Sequence, residues 1–153
     1  MNVEFINPFL KATPKVLKTM AFTDAQAGKP FLKKEDVAGG DVSGIVGITG
    51  ATEGSMSISF TEPCICYVIS NMFGEKVTAI NDEVKDAVGE LANMISGDAR
   101  RELSEKGISL AAAIPTVISG TNHTIKHMSK GPAIAIPFST PGGDFMVEIS
   151  FNK

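Results

Sequence analysis

Four residues in the second half of the chain combine types and spacing that suit chemistry at a surface: Asp86, Glu90, Asn93 and Gly97. An α-helix turns about 100° per residue. With Asp86 at zero on that wheel, Glu90 falls at roughly 40°, Asn93 at roughly −20°, Gly97 at roughly 20° and Arg100 at roughly −40°. Two carboxylates, an amide and a glycine therefore share one face. Carboxylates accept hydrogen bonds and pair with cations, while an amide accepts through its oxygen and donates through its nitrogen. The same composition is also what the solvated side of any amphipathic helix displays. Gly89 and Gly97 flank the Glu90–Asn93 pair. A glycine inside a helix costs about 1 kcal/mol against alanine, and the missing side chain lets another surface come close.

The stripe needs a long helix to carry it, and the sequence predicts one from about Asp82 to Lys106. Asn81 or Asp82 can cap its start, Glu83 suits the positive end of the dipole, and Gly107 suits the exit. Val84, Val88, Leu91, Ile95 and Ala99 line the opposite side of the wheel, so one face buries while the other displays the stripe. Ahead of it, residues 2–22 recur with helical spacing; Pro8 after Asn7 reads as a helix start and Pro14 as a kink. Residues 42–48 and 54–60 alternate small polar with apolar residues, the pattern of two half-buried strands joined in a hairpin. A helix follows from Thr61 as N-cap, with Pro63 in its first turn, to Gly74. Residues 109–119, 132–139 and 144–151 read as strands punctuated by Gly120, Gly131 and Pro141-Gly142-Gly143. Runs of strands separated from runs of helices favour an α+β layer arrangement over a doubly wound parallel sheet.

The chain has 153 residues with 14 basic and 17 acidic side chains, a net charge of −3. That length is expected to form one domain over residues 1–153. The mild acidic balance argues against nucleic-acid binding by phosphate neutralisation and against a polybasic membrane anchor. No apolar run approaches the roughly 20 residues of a membrane span, and the N-terminus lacks a basic signal region, so a cytoplasmic location is expected. His123 and His127 have the i, i+4 spacing of a shared metal on a helix. They follow a strand and a glycine, however, and no third ligand clusters with them, so no metal site is expected. Cys64 and Cys66 point about 200° apart on a helix and read as buried apolar residues.

Asp86-x3-Glu90-x2-Asn93, followed by Pro115 after 21 intervening residues, closely resembles the signature of the CheC/CheX family of chemotaxis phosphatases. The stretch Glu90–Ala99 is similar to the family's motif helix in its small and apolar positions as well. CheC-like members carry two copies of the motif. Here Glu148 and Asn152 are spaced by four within a strand, and Glu62 has Ile65 three residues later, so the single copy places the chain with the CheX-like branch.

That resemblance implies a layered α/β fold with a mixed or antiparallel sheet packed against long helices. It also implies an enzyme that hydrolyses the aspartyl phosphate of a phosphorylated CheY-type response regulator. Asn93 would orient the attacking water and Glu90 would pair with the partner's lysine; spacing of three puts both on adjacent turns of one face. Asp86 and Gly97 would support partner binding, and Pro115 would shape a strand or its approach to the motif helix. No cofactor of its own is implied, Mg²⁺ being held in the partner's site, and a homodimer is expected. Two other readings compete: a non-catalytic adaptor docking a chemotaxis or flagellar partner, and a small-ligand domain whose Glu-x2-Asn is coincidental.

Overall fold

The computed structural model of the chain describes residues 3–34, 39–121, 123–125, 127 and 132–152. Helix α1 (Val3–Ala21) contains both Pro8 and Pro14. The expectation that Pro8 opens this helix is thereby corrected: the helix begins at Val3 and runs through both prolines. Each proline removes one i→i−4 bond, but Phe9, Ala12, Val16 and Leu17 are buried along the helix. Tertiary packing of one face supplies most helical stability in proteins, and here it outweighs the local defect.

Two short strands follow, β1 (Gln26–Ala27) and β2 (Phe31–Lys33). Strands β3 (Val42–Gly50) and β4 (Gly54–Phe60) form the expected hairpin, in register from Val42↔Phe60 to Ile48↔Gly54. Helix α2 (Glu62–Phe73) starts where Thr61 accepts from the Cys64 N–H and ends at Gly74 with φ of 70°, a left-handed exit that glycine adopts without a Cβ penalty. Helix α3 (Asp82–Glu105) is capped by Asn81, whose side chain accepts from the Val84 N–H.

The expected strand over residues 109–119 is two strands, β5 (Leu110–Ala112) and β6 (Thr116–Ser119). Both pair with β3, at Ile48–Gly50 and Val42–Ile45 respectively. The ladder breaks where Pro115 has no N–H to give it, and the Ala113 N–H still bonds the Gly47 carbonyl across the gap. Strands β7 (Ala133–Thr140) and β8 (Gly143–Phe151) close the chain.

The eight strands form one sheet in the order β1-β7-β8-β4-β3-β5, with β2 also on β7 and β6 also on β3, and each pairing is antiparallel. The chain is thus α+β, with an antiparallel sheet carrying helices. Val46, Met56, Ile58, Val147 and Ile149 from the sheet share the core with Leu17, Ile65, Ile69, Leu91 and Ile95 from the helices.

The alternate residues of the central strands, on the opposite face of the sheet, are buried as well. Ser43, Ser55, Ser57, Ser59 and Ser150 are fully buried, and Glu148 nearly so. The apolar–serine alternation therefore does not mark half-buried strands with a wet face. Both faces are covered, the second in part by His123 and His127, which meet Ser43 and Ser55, with Ile125 itself buried.

Candidate functional site

The motif lies on α3, and small residues set that helix against the sheet. Gly44 of β3 is where the two meet most closely: a Cβ built there would stand 3.1 Å from Ala92 Cβ and 3.2 Å from the Val88 carbonyl oxygen. Val88 and Ala92 bracket Glu90, so the centre of the motif is seated on β3. The same helix meets β6 through Gly89, whose Cβ position lies 3.3 Å from Val117 Cγ2 and 3.9 Å from Pro115 Cβ. Gly89 is buried. Its missing side chain admits the protein's own strand, not an outside surface as the sequence suggested. At Gly97 the nearest side-chain atom to a Cβ position is an Arg100 nitrogen at 3.7 Å, ordinary van der Waals contact.

Val84, Val88, Leu91, Ile95 and Ala99 are all buried, while Asp86, Glu90 and Asn93 are exposed and Gly97 is half-buried. Neither the Glu90 carboxylate nor the Asn93 amide makes a hydrogen bond or ion pair with any described residue; the Asn93 carbonyl accepts from Ser96 Oγ at 3.2 Å. Spacing of three on a helix holds their Cβ atoms about 5–6 Å apart. The structure therefore presents a carboxylate and an amide side by side, on a helix whose other face is locked in the core. Acceptors and donors carried on an anchored helix and left unpaired are what a surface needs to take hold of a water or a cation on another molecule.

Two features border the stripe. On one flank, Lys15, Val16 and Thr19 of α1 form a cleft with Met94, Gly97, Asp98 and Arg101, and Lys15 pairs with Asp98 at 3.5 Å. On the other flank stands the β5–β6 turn, where Ile114 is 90% exposed. The sequence reading set Ile114 inside a strand and missed it. An apolar residue directly before a proline in a broken strand was the available signal.

A second polar cluster lies on the far face of the sheet. Lys33 Nζ meets Glu148 Oε2 at 2.5 Å, His127 Nε2 donates to Glu148 Oε1 at 3.1 Å, and Ser55 Oγ lies 2.5 Å from His127 Nδ1. The Lys33, His127 and Glu148 side chains are 10%, 10% and 2% exposed. Burial pushes the Glu148 carboxyl up, but hydrogen bonds and charge from His127 and Lys33 outweigh it and hold the group below its ordinary range. His123 Nδ1 donates to the Gly120 carbonyl at 2.7 Å, and its Nε2 lies 2.6 Å from Ser43 Oγ, which also meets Ser59 Oγ at 2.6 Å.

Both ring nitrogens of each histidine are thus engaged by the protein, and no group of three potential ligands occurs among the described residues. Cys64 and Cys66 are buried free thiols of α2. Burial pushes the Cys64 thiol up to about 11, against a lowering hydrogen bond with Thr140, while nearby Asp144 adds to the rise. Among the described residues no helix is long and apolar enough to cross a membrane.

Comparison with known proteins gives this geometry a family. A family model described as chemotaxis phosphatase CheX matches residues 42–139. The CheY-P phosphatase CheX of Thermotoga maritima is similar at 27% identity over 140 residues, which cover 91% of this chain and 89% of that protein. A CheC-like superfamily protein from Shewanella sp. PV-4 has the same fold at TM-score 0.93 and 50% identity, with 100% of both chains covered. A chain of the CheX–CheY–BeF3–Mg+2 complex from Borrelia burgdorferi matches at TM-score 0.84 and 31% identity, over 97% of this chain and 98% of that one. The matched span runs from the hairpin through the motif helix to β7, and the chain belongs to the CheX family of chemotaxis phosphatases.

Proposed function

We propose that the chain dephosphorylates a phosphorylated CheY-type response regulator, with Asn93 and Glu90 as the residues that act on the partner's site. The observation that carries this reading is the pair itself: both side chains are exposed, adjacent on one rigid helix face, and unpaired among the described residues. The similarity to the Thermotoga maritima CheY-P phosphatase and to a chain of a CheX–CheY complex supports it.

Hydrolysis of an acyl phosphate asks for little covalent chemistry from an enzyme. Water attacks phosphorus in line, the bond from phosphorus to the partner's aspartate oxygen breaks, and inorganic phosphate leaves with the water's proton while the carboxylate is freed. Rate comes from positioning and charge neutralisation. In this reading the partner holds the Mg²⁺ and a lysine, so the chain needs no cofactor of its own. The Asn93 amide oxygen accepts from the attacking water and fixes its line of approach. Glu90 pairs with the partner's lysine and sets the docking register. Asp86 and Gly97 extend the docking surface, Gly97 by leaving room for the partner's loops. The proposal includes a homodimer formed along an open edge of the sheet, where β5 ends the strand order; sedimentation equilibrium giving only monomer would remove that part.

The test is loss of phosphate from an acetyl-phosphate-charged CheY-type regulator, comparing wild type with Asn93→Ala and Glu90→Ala. Acceleration by wild type, abolished by Asn93→Ala and weakened through KM by Glu90→Ala, is the expected result. Binding by wild type with no acceleration would replace the enzyme with an adaptor.

A further inference from the structure

The turn between β5 and β6 places an apolar side chain at the border of the motif. Ile114 is 90% exposed, more than Phe22 at 74% or Leu32 at 52%. Single exposed hydrophobics are ordinary on protein surfaces, so exposure alone decides nothing. Position and rigidity do. Pro115, the next residue, packs beside Gly89, and Gly89 immediately precedes Glu90 in α3. On the helical wheel Gly89 falls on the Asn93 side of the stripe, at roughly −60° from Asp86. Ile114 is therefore one residue from the point where the β5–β6 segment meets the motif helix, on the flank opposite the α1 cleft.

The turn is also held. The Ala113 N–H bonds the Gly47 carbonyl at 2.9 Å, Thr116 resumes the ladder opposite Ile45, and Pro115 fixes its own φ while restricting that of Ile114. An apolar side chain on a stiff turn loses little entropy when a partner covers it, which is the condition under which burial shows up as affinity.

Resting on the phosphatase reading above, we infer that Ile114 is a docking residue for the phosphorylated regulator. It inserts against an apolar patch bordering the partner's phosphorylated aspartate and sets affinity without touching the reacting atoms. Asn93 and Glu90 then supply chemistry and register, and Ile114 supplies apolar contact from the adjoining strand turn. The occupant is a folded receiver surface, because the turn is continuous with the face that carries the motif.

Steady-state dephosphorylation of a charged CheY-type regulator, with calorimetric binding to its beryllofluoride form, tests this with Ile114→Ser and Ile114→Leu beside wild type and Asn93→Ala. Ile114→Ser should raise KM and Kd about tenfold with kcat unchanged, Ile114→Leu should restore both, and thermal midpoints should match wild type. Wild-type KM and Kd in Ile114→Ser, while Asn93→Ala still abolishes turnover, would overturn the docking role and leave the phosphatase reading standing. Wild type that neither binds nor dephosphorylates the regulator would overturn both. A fall in kcat with unchanged Kd would also overturn it, by placing Ile114 in the chemistry.

Discussion

The two polar clusters of this molecule sit on opposite sides of its sheet and are built on opposite principles. On the α3 face, Glu90 and Asn93 are exposed and find no partner among the described residues. On the far face, Glu148 and Ser55 are buried, Lys33 and His127 are largely covered, and the four are linked by hydrogen bonds. A buried polar group left unsatisfied costs free energy, so the second cluster is closed and its members hold the structure. A polar group in water costs nothing to leave open, so the first is free to be completed by another molecule. Ionisable side chains and a histidine are therefore poor guides to function by themselves. The cluster with more of both is the structural one.

That contrast can be broken from either side. The largest effect is expected at Glu148→Ala, which strands Lys33 in a site that leaves it 10% exposed; breaking one partner of a buried pair costs about 3–5 kcal/mol. Urea denaturation should record that loss while dephosphorylation per folded molecule stays at the wild-type rate. A loss of turnover without a loss of stability would erase the distinction between the faces.

Gly44→Ala joins the two regions and should be intermediate. The new methyl meets Ala92 and the Val88 carbonyl at 3.1–3.2 Å, an overpacking that costs about 1–3 kcal/mol. Because Val88 and Ala92 carry the motif segment, turnover should fall severalfold as well. Unchanged kinetics in a destabilised protein would show that the motif does not depend on its seat.

The finest test is in pH. The folded-state pKa of Glu148 is depressed, so its contribution to stability is present above its unfolded value, about 4.3. It is lost as pH falls through the lower folded value, where the native carboxylate takes up a proton. Thermal midpoints should decline from pH 5 downward, and Glu148→Gln should flatten that decline. An acid limb equally steep in Glu148→Gln would assign it to other carboxylates.

How much of this was legible in the chain follows from the range of the interactions. Helices α2 and α3 could be read nearly to their ends because Thr61, Gly74 and Asn81 act on residues a few positions away. The stripe was legible for the same reason: helical spacing alone puts Glu90 beside Asn93 and opposite Leu91. Strands β1 and β2 were not, since they are short, exposed and paired with β7 about a hundred residues on. The buried serines misled for a related cause. Alternation along β4 reports two different faces and says nothing of what covers each; Ser43 and Ser55 are covered from His123 and His127, more than 70 positions away. Gly89 shows the same limit within the site. Its missing side chain was visible, but the neighbour it admits, β6, belongs to tertiary structure.

The central claim is that the polar atoms of the motif are spare in the free protein and completed only by the partner. It is tested most directly by Asn93→Ala, measured three ways on one preparation: thermal midpoint, affinity for a beryllofluoride-charged CheY-type regulator, and the single-turnover rate of phosphate loss. A surface substitution free of structural contacts should stay within about 0.5 kcal/mol of wild-type stability. Affinity should change by no more than a few-fold, and the rate should fall by about 100-fold or more, the size of effect seen when one preorganised transition-state contact is removed. A protein that loses stability with its rate, or keeps its full rate without the amide, would contradict the account.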